Sequence, residues 1–274
     1  MYRRMNFPGG KTRALTLSYD DGVRQDKRLI DIMVKNGLKG TFNINSGLFE
    51  KTPSTTAQVG RMTKSEAYDL YFNNDMEVAT HSFSHPSLAT MTDAEITNEI
   101  LSDKIDMEKE TGKIIRGFAY PNGSVSDRVV KCLEKCGFLY ARTTVSTRNF
   151  ALANDLLRLP ATCHHKDPEL MNLAKSFIET QSYYTRIFYL WGHSYEFDNN
   201  NNWNVIEEFA EYVSRNDDVW YVTNIDLFEY VESYKKLLVS ADSKRFYNPT
   251  STTLYFNTCG KDYQIAPAQT LVID

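Results

Sequence analysis

About seven short runs of apolar and β-branched residues recur along the chain, each ending in polar or turn residues. They are ALTLSY (14–19), KGTFNINSGLF (39–49), MEVATHSFSH (76–85), RGFAYPNG (116–123), FLYARTTV (138–145), RIFYLWGHSYEF (186–197) and DVWYVTNI (218–225). Between them the apolar residues change to helical spacing. DKRLIDIMVKNG (26–37) places Leu29, Ile30, Ile32 and Met33 on one face, with Gly37 as a stop. TKSEAYDLYFNN (63–74) opens with Thr63 and Glu66, the spacing of a capping box. TDAEITNEILSDKIDMEKETG (92–112) predicts a long helix from an N-cap at Thr92 to a stop at Gly112. SDRVVKCLEKCG, NVIEEFAEYVSRN and IDLFEYVESYKKLL predict three more helices.

Alternating strand and helix implies a mostly parallel sheet with right-handed crossovers. A doubly wound sheet has the same local pattern. The polar clusters, however, fall at strand ends, as in barrels that collect their chemistry at the C-terminal ends of strands. The expected fold is therefore α/β, a distorted (β/α) barrel of about seven strands. From about Ser240 the texture changes to short β-like runs broken by Asn-Pro, Cys-Gly-Lys-Asp and Ala-Pro. This predicts a main domain over 1–238 and a small C-terminal β appendage over 239–274.

Composition narrows the class. The 274 residues are 42% hydrophobic and 24% charged, ordinary for a globular protein. A net charge of −4 argues against a nucleic-acid partner held by a broad basic surface. No apolar run approaches the roughly 18 residues of a membrane span. The start, MYRRMNFPGG, has basic residues without an apolar core or cleavage site, so a cytoplasmic location is expected. Cys132, Cys136, Cys163 and Cys259 lack the spacing of a zinc framework and read as reduced thiols.

The candidate chemistry lies in four places. SYDDG (18–22) puts Asp20 and Asp21 side by side where a strand stops; in extended chain, neighbours point to opposite faces. As an isolated motif it reads as a solvated turn. HSFSH (81–85) places His81 and His85 so that a tight turn converges them on one metal. Two neutral imidazoles and one carboxylate form a three-ligand set with open positions. His193 ends RIFYLWGH, followed by Tyr195, Glu196 and Asp198; a carboxylate near an imidazole fixes its tautomer and raises its pKa, which suits a general acid. FAYPNG (118–123) exposes backbone N–H groups at a turn, as an oxyanion site requires. Together these parts describe metal-assisted hydrolysis of an acyl bond.

In this order the four motifs resemble those of the polysaccharide deacetylases of the NodB-homology type, carbohydrate esterase family 4. The resemblance covers roughly residues 15–237. It implies a distorted (β/α) barrel that removes N- or O-acetyl groups from a sugar or glycan. It also implies one divalent metal, zinc first, with cobalt, nickel or manganese as alternatives. Asp20 takes the role of base, Asp21, His81 and His85 those of ligands, and His193 that of acid. Asn122 N–H becomes the oxyanion donor, because Pro121 has none. The family's third motif usually opens with an arginine that steadies the base; Ala119 stands there, and Arg158 is assigned to supply the charge. Its Asp/Trp motif is not evident, so Glu196 or Asp198 is assigned to orient His193. Tyr120, Trp191 and Tyr195 are the candidate substrate contacts. His164 and His165 match no family position. Two other readings remain: an amidohydrolase acting on a non-sugar C–N bond, and a silent carbohydrate binder using Trp191, Tyr195 and Trp203.

Overall fold

The computed structural model describes residues 3–51 and 60–273. The chain runs β1 (Arg3–Asn6), β2 (Arg13–Asp20), α1 (Asp26–Lys35), β3 (Gly40–Ile44), α2 (Lys64–Phe72), β4 (Glu77–Thr80), α3 (Asp93–Thr111), β5 (Gly117–Ala119), α4 (Asp127–Lys135) and β6 (Tyr140–Ser146). It continues with β7 (Leu159–Ala161), β8 (Cys163–His164), α5 (Leu170–Glu179), β9 (Arg186–Gly192), α6 (Tyr195–Asn199), α7 (Asn204–Val213), β10 (Val219–Tyr221) and α8 (Asn224–Lys235). Last come β11 (Leu238–Val239), β12 (Arg245–Tyr247), β13 (Leu254–Thr258), β14 (Lys261–Ile265) and β15 (Thr270–Val272).

The main sheet is parallel in the order β7-β6-β5-β4-β3-β2-β9-β8, with β10 also pairing with β2. Its two ends, β7 and β8, are separated in sequence by Thr162 alone. One bent strand thus bonds β6 with its first half and β9 with its second, curling the sheet into a nearly closed (β/α) barrel. All seven expected strand runs are present. The bent eighth strand was not expected, because Pro160 removes a ladder donor and shortens the apolar pattern. Helix α5 was likewise missed in that stretch.

Helix ends follow their caps. Thr63 with Glu66, and Thr92 with Glu95, close full capping boxes, each cap worth about 1 kcal/mol. Gly112 ends α3 in the left-handed region at φ 64°, where a side chain would be strained. Strand β2 is buried at all eight positions because it lies between β3 and β9, so its side chains meet core on both faces.

The C-terminal strands form two three-stranded antiparallel sheets, β1-β13-β14 and β11-β12-β15. The N-terminal strand β1 pairs with β13, so both ends of the chain build this part. It shares one apolar cluster with the barrel, in which Phe7, Tyr189, Phe246 and Phe256 pack together. Cys132, Cys136, Cys163 and Cys259 are all free thiols. Among the described residues, no helix is long and apolar enough to cross a membrane.

Candidate metal centre and acid–base site

Parallel pairing brings the C-terminal ends of β2, β4, β5, β6 and β9 to one rim of the barrel. Asp20 is the last residue of β2, and Asp21 turns out of it at φ 85°. The turn separates the two carboxylates. Asp20 points inward and is 2% exposed, while Asp21 is partly exposed. His81 follows β4, and the turn after it passes through positive φ at Ser82 (61°) and His85 (59°). Such conformations cost about 1–3 kcal/mol each and persist where the surroundings enforce them. Here Asn45 Nδ2 bonds the carbonyls of His81 and Ser82, and Glu99 on α3 accepts from the N–H and hydroxyl of Ser84.

This backbone brings ligand atoms of Asp21, His81 and His85 within 4.8 Å of one another. His85 Nε2 lies 3.7 Å from Asp21 Oδ1. His81 Nδ1 is 2.8 Å from the carbonyl of Ala119, which can only accept. Nδ1 therefore carries the proton, and Nε2 keeps a free lone pair, the tautomer of a metal-ligating histidine. Burial pushes the pKa of His81 down to about 4, so the ring is neutral near pH 7. Two imidazoles and a carboxylate are a donor set that fits a divalent cation. Arg61 also touches this carboxylate, with Nη2 3.3 Å from Asp21 Oδ1.

Asp20 stands beside the triad. Its Oδ2 lies 3.8 Å from His81 Nε2 and 3.9 Å from His193 Nε2. Its Oδ1 accepts from Asn43 Nδ2 at 2.9 Å and from Arg142 Nη2 at 2.6 Å, and Arg142 also touches Oδ2. Burial would raise the pKa of this carboxyl, but the Arg142 guanidinium, then His81 and His193, hold it down at about 2. His193 follows β9. Burial would lower its pKa, yet Glu196, Asp20 and Asp21 outweigh that and raise it. Glu196 Oε1 is 3.7 Å from His193 Nδ1. Asp198 is engaged elsewhere, accepting from Trp203 Nε1 at 2.7 Å.

Arg142 is the residue that sequence reasoning missed. In strand order it is the direct partner of Ala119, one strand over at the same level. Its guanidinium is buried against the ring of Trp191, 4.4 Å from the centroid. Arg158 does not take the role assigned to it. It sits at the surface and pairs with Asp127 at 2.6 Å and Asp155 at 2.8 Å, because the short turn before β7 faces α4 rather than the rim. Two candidate substrate contacts also differ from expectation. Tyr120 is 1% exposed, with its hydroxyl donated to the Leu157 carbonyl, so it is core. Trp191 is 8% exposed and serves as a floor beneath Arg142 and His164. Tyr195 remains partly exposed, its ring 5.3 Å from that of His193. Asn122 lies in the turn after β5 at φ 56°, with its side chain toward Ser87.

Residues 8–141 match the family model described as polysaccharide deacetylase. The chain is 24% identical over 147 residues to a chitin deacetylase of a Pestalotiopsis species, covering 53% of this chain and 46% of that protein. It is 22% identical over 144 residues to a peptidoglycan-N-acetylglucosamine deacetylase of Bacillus cereus, covering 52% and 48%. The matched segment spans about half the length of each of these curated relatives. In fold it is similar to a crystal structure of a putative polysaccharide deacetylase from Mycobacterium smegmatis, with a TM-score of 0.62 at 17% identity, covering 85% of this chain and 94% of that one.

Proposed function

Because the chain belongs to the polysaccharide deacetylases of the NodB-homology type, carbohydrate esterase family 4, we propose that it is a metal-dependent hydrolase removing an N- or O-acetyl group from a sugar or glycan. The observation that carries this reading is the division of labour at the end of β2. Asp21 groups with His81 and His85, while Asp20, its neighbour in sequence, faces His193 from a separate buried position.

Asp21, His81 and His85 would hold one divalent cation, zinc first among the candidates. When bound, such an ion supplies Lewis acidity toward an acyl carbonyl and makes a water easier to deprotonate. The chain's own residues do the rest. Asp20 accepts the water's proton at Oδ2, the oxygen that faces the histidines, while Asn43 holds Oδ1 and Arg142 touches both oxygens. A carboxyl held near 2 is ionised at neutral pH and ready to accept. His193 delivers a proton from Nε2 to the departing amine or alcohol; its raised pKa favours the protonated form this requires. Asn122 N–H, in the turn after β5, is the proposed oxyanion donor. Tyr195, beside His193, is the one aromatic candidate left to meet a sugar ring.

The names of the curated relatives favour an N-acetylated aminosugar polymer as substrate. The test is acetate release from N-acetylated chitooligosaccharides, peptidoglycan fragments, O-acetylated xylooligosaccharides and an aryl acetate. It is run on metal-stripped protein and after reloading with zinc, cobalt, nickel or manganese. Metal-restored release from a sugar substrate supports the proposal. One bound equivalent of metal with no release from any of them would reject it.

A further inference from the structure

The tandem His164–His165 belongs to none of the four motifs, yet the fold brings it to the site. Strand β8 and the two residues after it place both rings and Lys166 around the carboxylate of Glu196 in the first turn of α6. Lys166 Nζ lies 2.7 Å from Glu196 Oε1. His164 Nε2 lies 3.2 Å, and His165 Nε2 2.9 Å, from Oε2. The same carboxylate reaches toward His193 Nδ1.

Ligand atoms of His164, His193 and Glu196 also lie within 4.8 Å of one another, the spacing of a cation site. The hydrogen bonding argues against a cation. The Lys166 backbone N–H donates to His164 Nδ1 at 3.1 Å, so in the neutral ring the proton sits on Nε2, the atom facing Glu196. A donor there, and an ammonium on the other carboxylate oxygen, receive an anion and repel a cation.

The arrangement is built into the fold. His165 is 2% exposed and stacks between Tyr19 (5.7 Å, 18°) and Phe197 (4.2 Å, 30°). Its ring fills the place where residue 192 would carry a Cβ, which would stand 2.1 Å from His165 Nδ1, so that position is glycine. His164 packs edge-on against Trp191, the floor under Arg142.

We propose that His164, His165 and Lys166 are positioning residues: they hold the Glu196 carboxylate ionised and aimed at His193 Nδ1, which turns Nε2 toward the cleft as proton donor. This rests on the reading of His193 as the acid. The electrostatics agree. Burial would raise the pKa of Glu196, but the three rings of His164, His165 and His193 close to it and the Lys166 ammonium hydrogen-bonded to it hold it well below the carboxylate range. His193 itself faces Asp20 at the end of β2 and Asp21 just beyond it, His164 on β8 and His165 just beyond it, and Tyr195 and Glu196 from its own segment.

The test uses the metal-loaded protein and three variants. His164→Leu removes the donor. His164→Gln keeps an N–H close to the place of Nε2 but not the ring. Glu196→Gln removes the charge itself. Two readouts are taken: the pH dependence of kcat and KM for acetate release, and the titration of His193 by NMR, which needs no turnover. Metal content is checked for each. Glu196→Gln is expected to move the His193 midpoint and the alkaline limb of kcat down by about one pH unit. His164→Leu is expected to move both in the same direction by a smaller step, with kcat down by about tenfold and KM unchanged. His164→Gln is expected to restore most of both. An unmoved midpoint in His164→Leu, or a His164→Gln variant no better than Leu, would overturn the proposal. If the wild type releases no acetate, the function above fails, but the NMR arm still decides whether the cradle holds.

Discussion

Arg142→Met isolates the interaction on which Asp20 depends. The arginine and the aspartate are both nearly fully buried, and their contact involves both carboxylate oxygens. Lowering the Asp20 pKa from 3.8 to about 2 is worth about 2 kcal/mol of stability at neutral pH, at about 1.4 kcal/mol per pH unit. The sign follows from the direction. The folded value lies below the unfolded one, so this stability is present above about pH 4 and is lost as pH falls toward 2. Removing Arg142 does more than erase that gain, because it leaves a buried carboxylate facing only Asn43 and two imidazoles. Breaking such a pair costs about 3–5 kcal/mol. Urea unfolding of metal-stripped wild type, Arg142→Met, Asp20→Asn and the double variant at neutral pH measures the coupling. The double variant is expected to regain at least about 1 kcal/mol over the sum of the singles. In active protein, Arg142→Met should also move the acidic limb of the rate profile to higher pH. Additivity within about 0.5 kcal/mol, with an unmoved acidic limb, would refute the claim that Arg142 holds the base.

Two further outcomes concern stability. Glu77, half-buried at the opposite end of the barrel from the site, accepts from Thr41, Tyr140 and the Ile225 N–H, and loss of solvation raises its pKa to about 7. Its contribution is full below the unfolded value and is lost as pH rises through about 7, so Glu77→Gln should remove about 2 kcal/mol from the stability lost between about pH 5 and pH 8 in urea titrations. Gly192→Ala would drive a methyl into the His165 ring; a cost of about 1–3 kcal/mol in thermal unfolding, with retained metal content, is expected.

The parts of this protein legible in its sequence are those encoded locally. Capping boxes at Thr63 and Thr92 and the left-handed stop at Gly112 each occupy a few consecutive residues, and each appears in the structure as read. The pair Asp20–Asp21 and the turn His81–His85 are local as well, which is why the triad could be named before its geometry was known. What failed was non-local. An arginine inside a strand, as in YARTTV, reads as a solvent-facing position; only the register of β5 against β6 shows Arg142 replacing a charge that Ala119 lacks. The reading of Arg158, in LLRLPA, as a charge supplied from a neighbouring strand end fails because Asp127 and Asp155 hold it at the surface. Tyr120 was misplaced for a related reason: where a strand gives way to a turn, alternation no longer says which face is core. The role of His164 and His165 required β8 to lie beside β9, and no spacing in the sequence encodes that neighbour.

The central claim is that two adjacent aspartates do different work, and cobalt loading tests it most directly. Metal-stripped wild type, Asp20→Asn and Asp21→Asn are titrated with Co2+, following its visible absorption and the bound stoichiometry, and acetate release is then assayed. The account predicts one equivalent in wild type and in Asp20→Asn, with release in the latter down by at least about 100-fold, and weakened or absent binding in Asp21→Asn. An Asp20→Asn variant that loses the cobalt, or an Asp21→Asn variant that keeps it with an unchanged spectrum, would contradict the assignment.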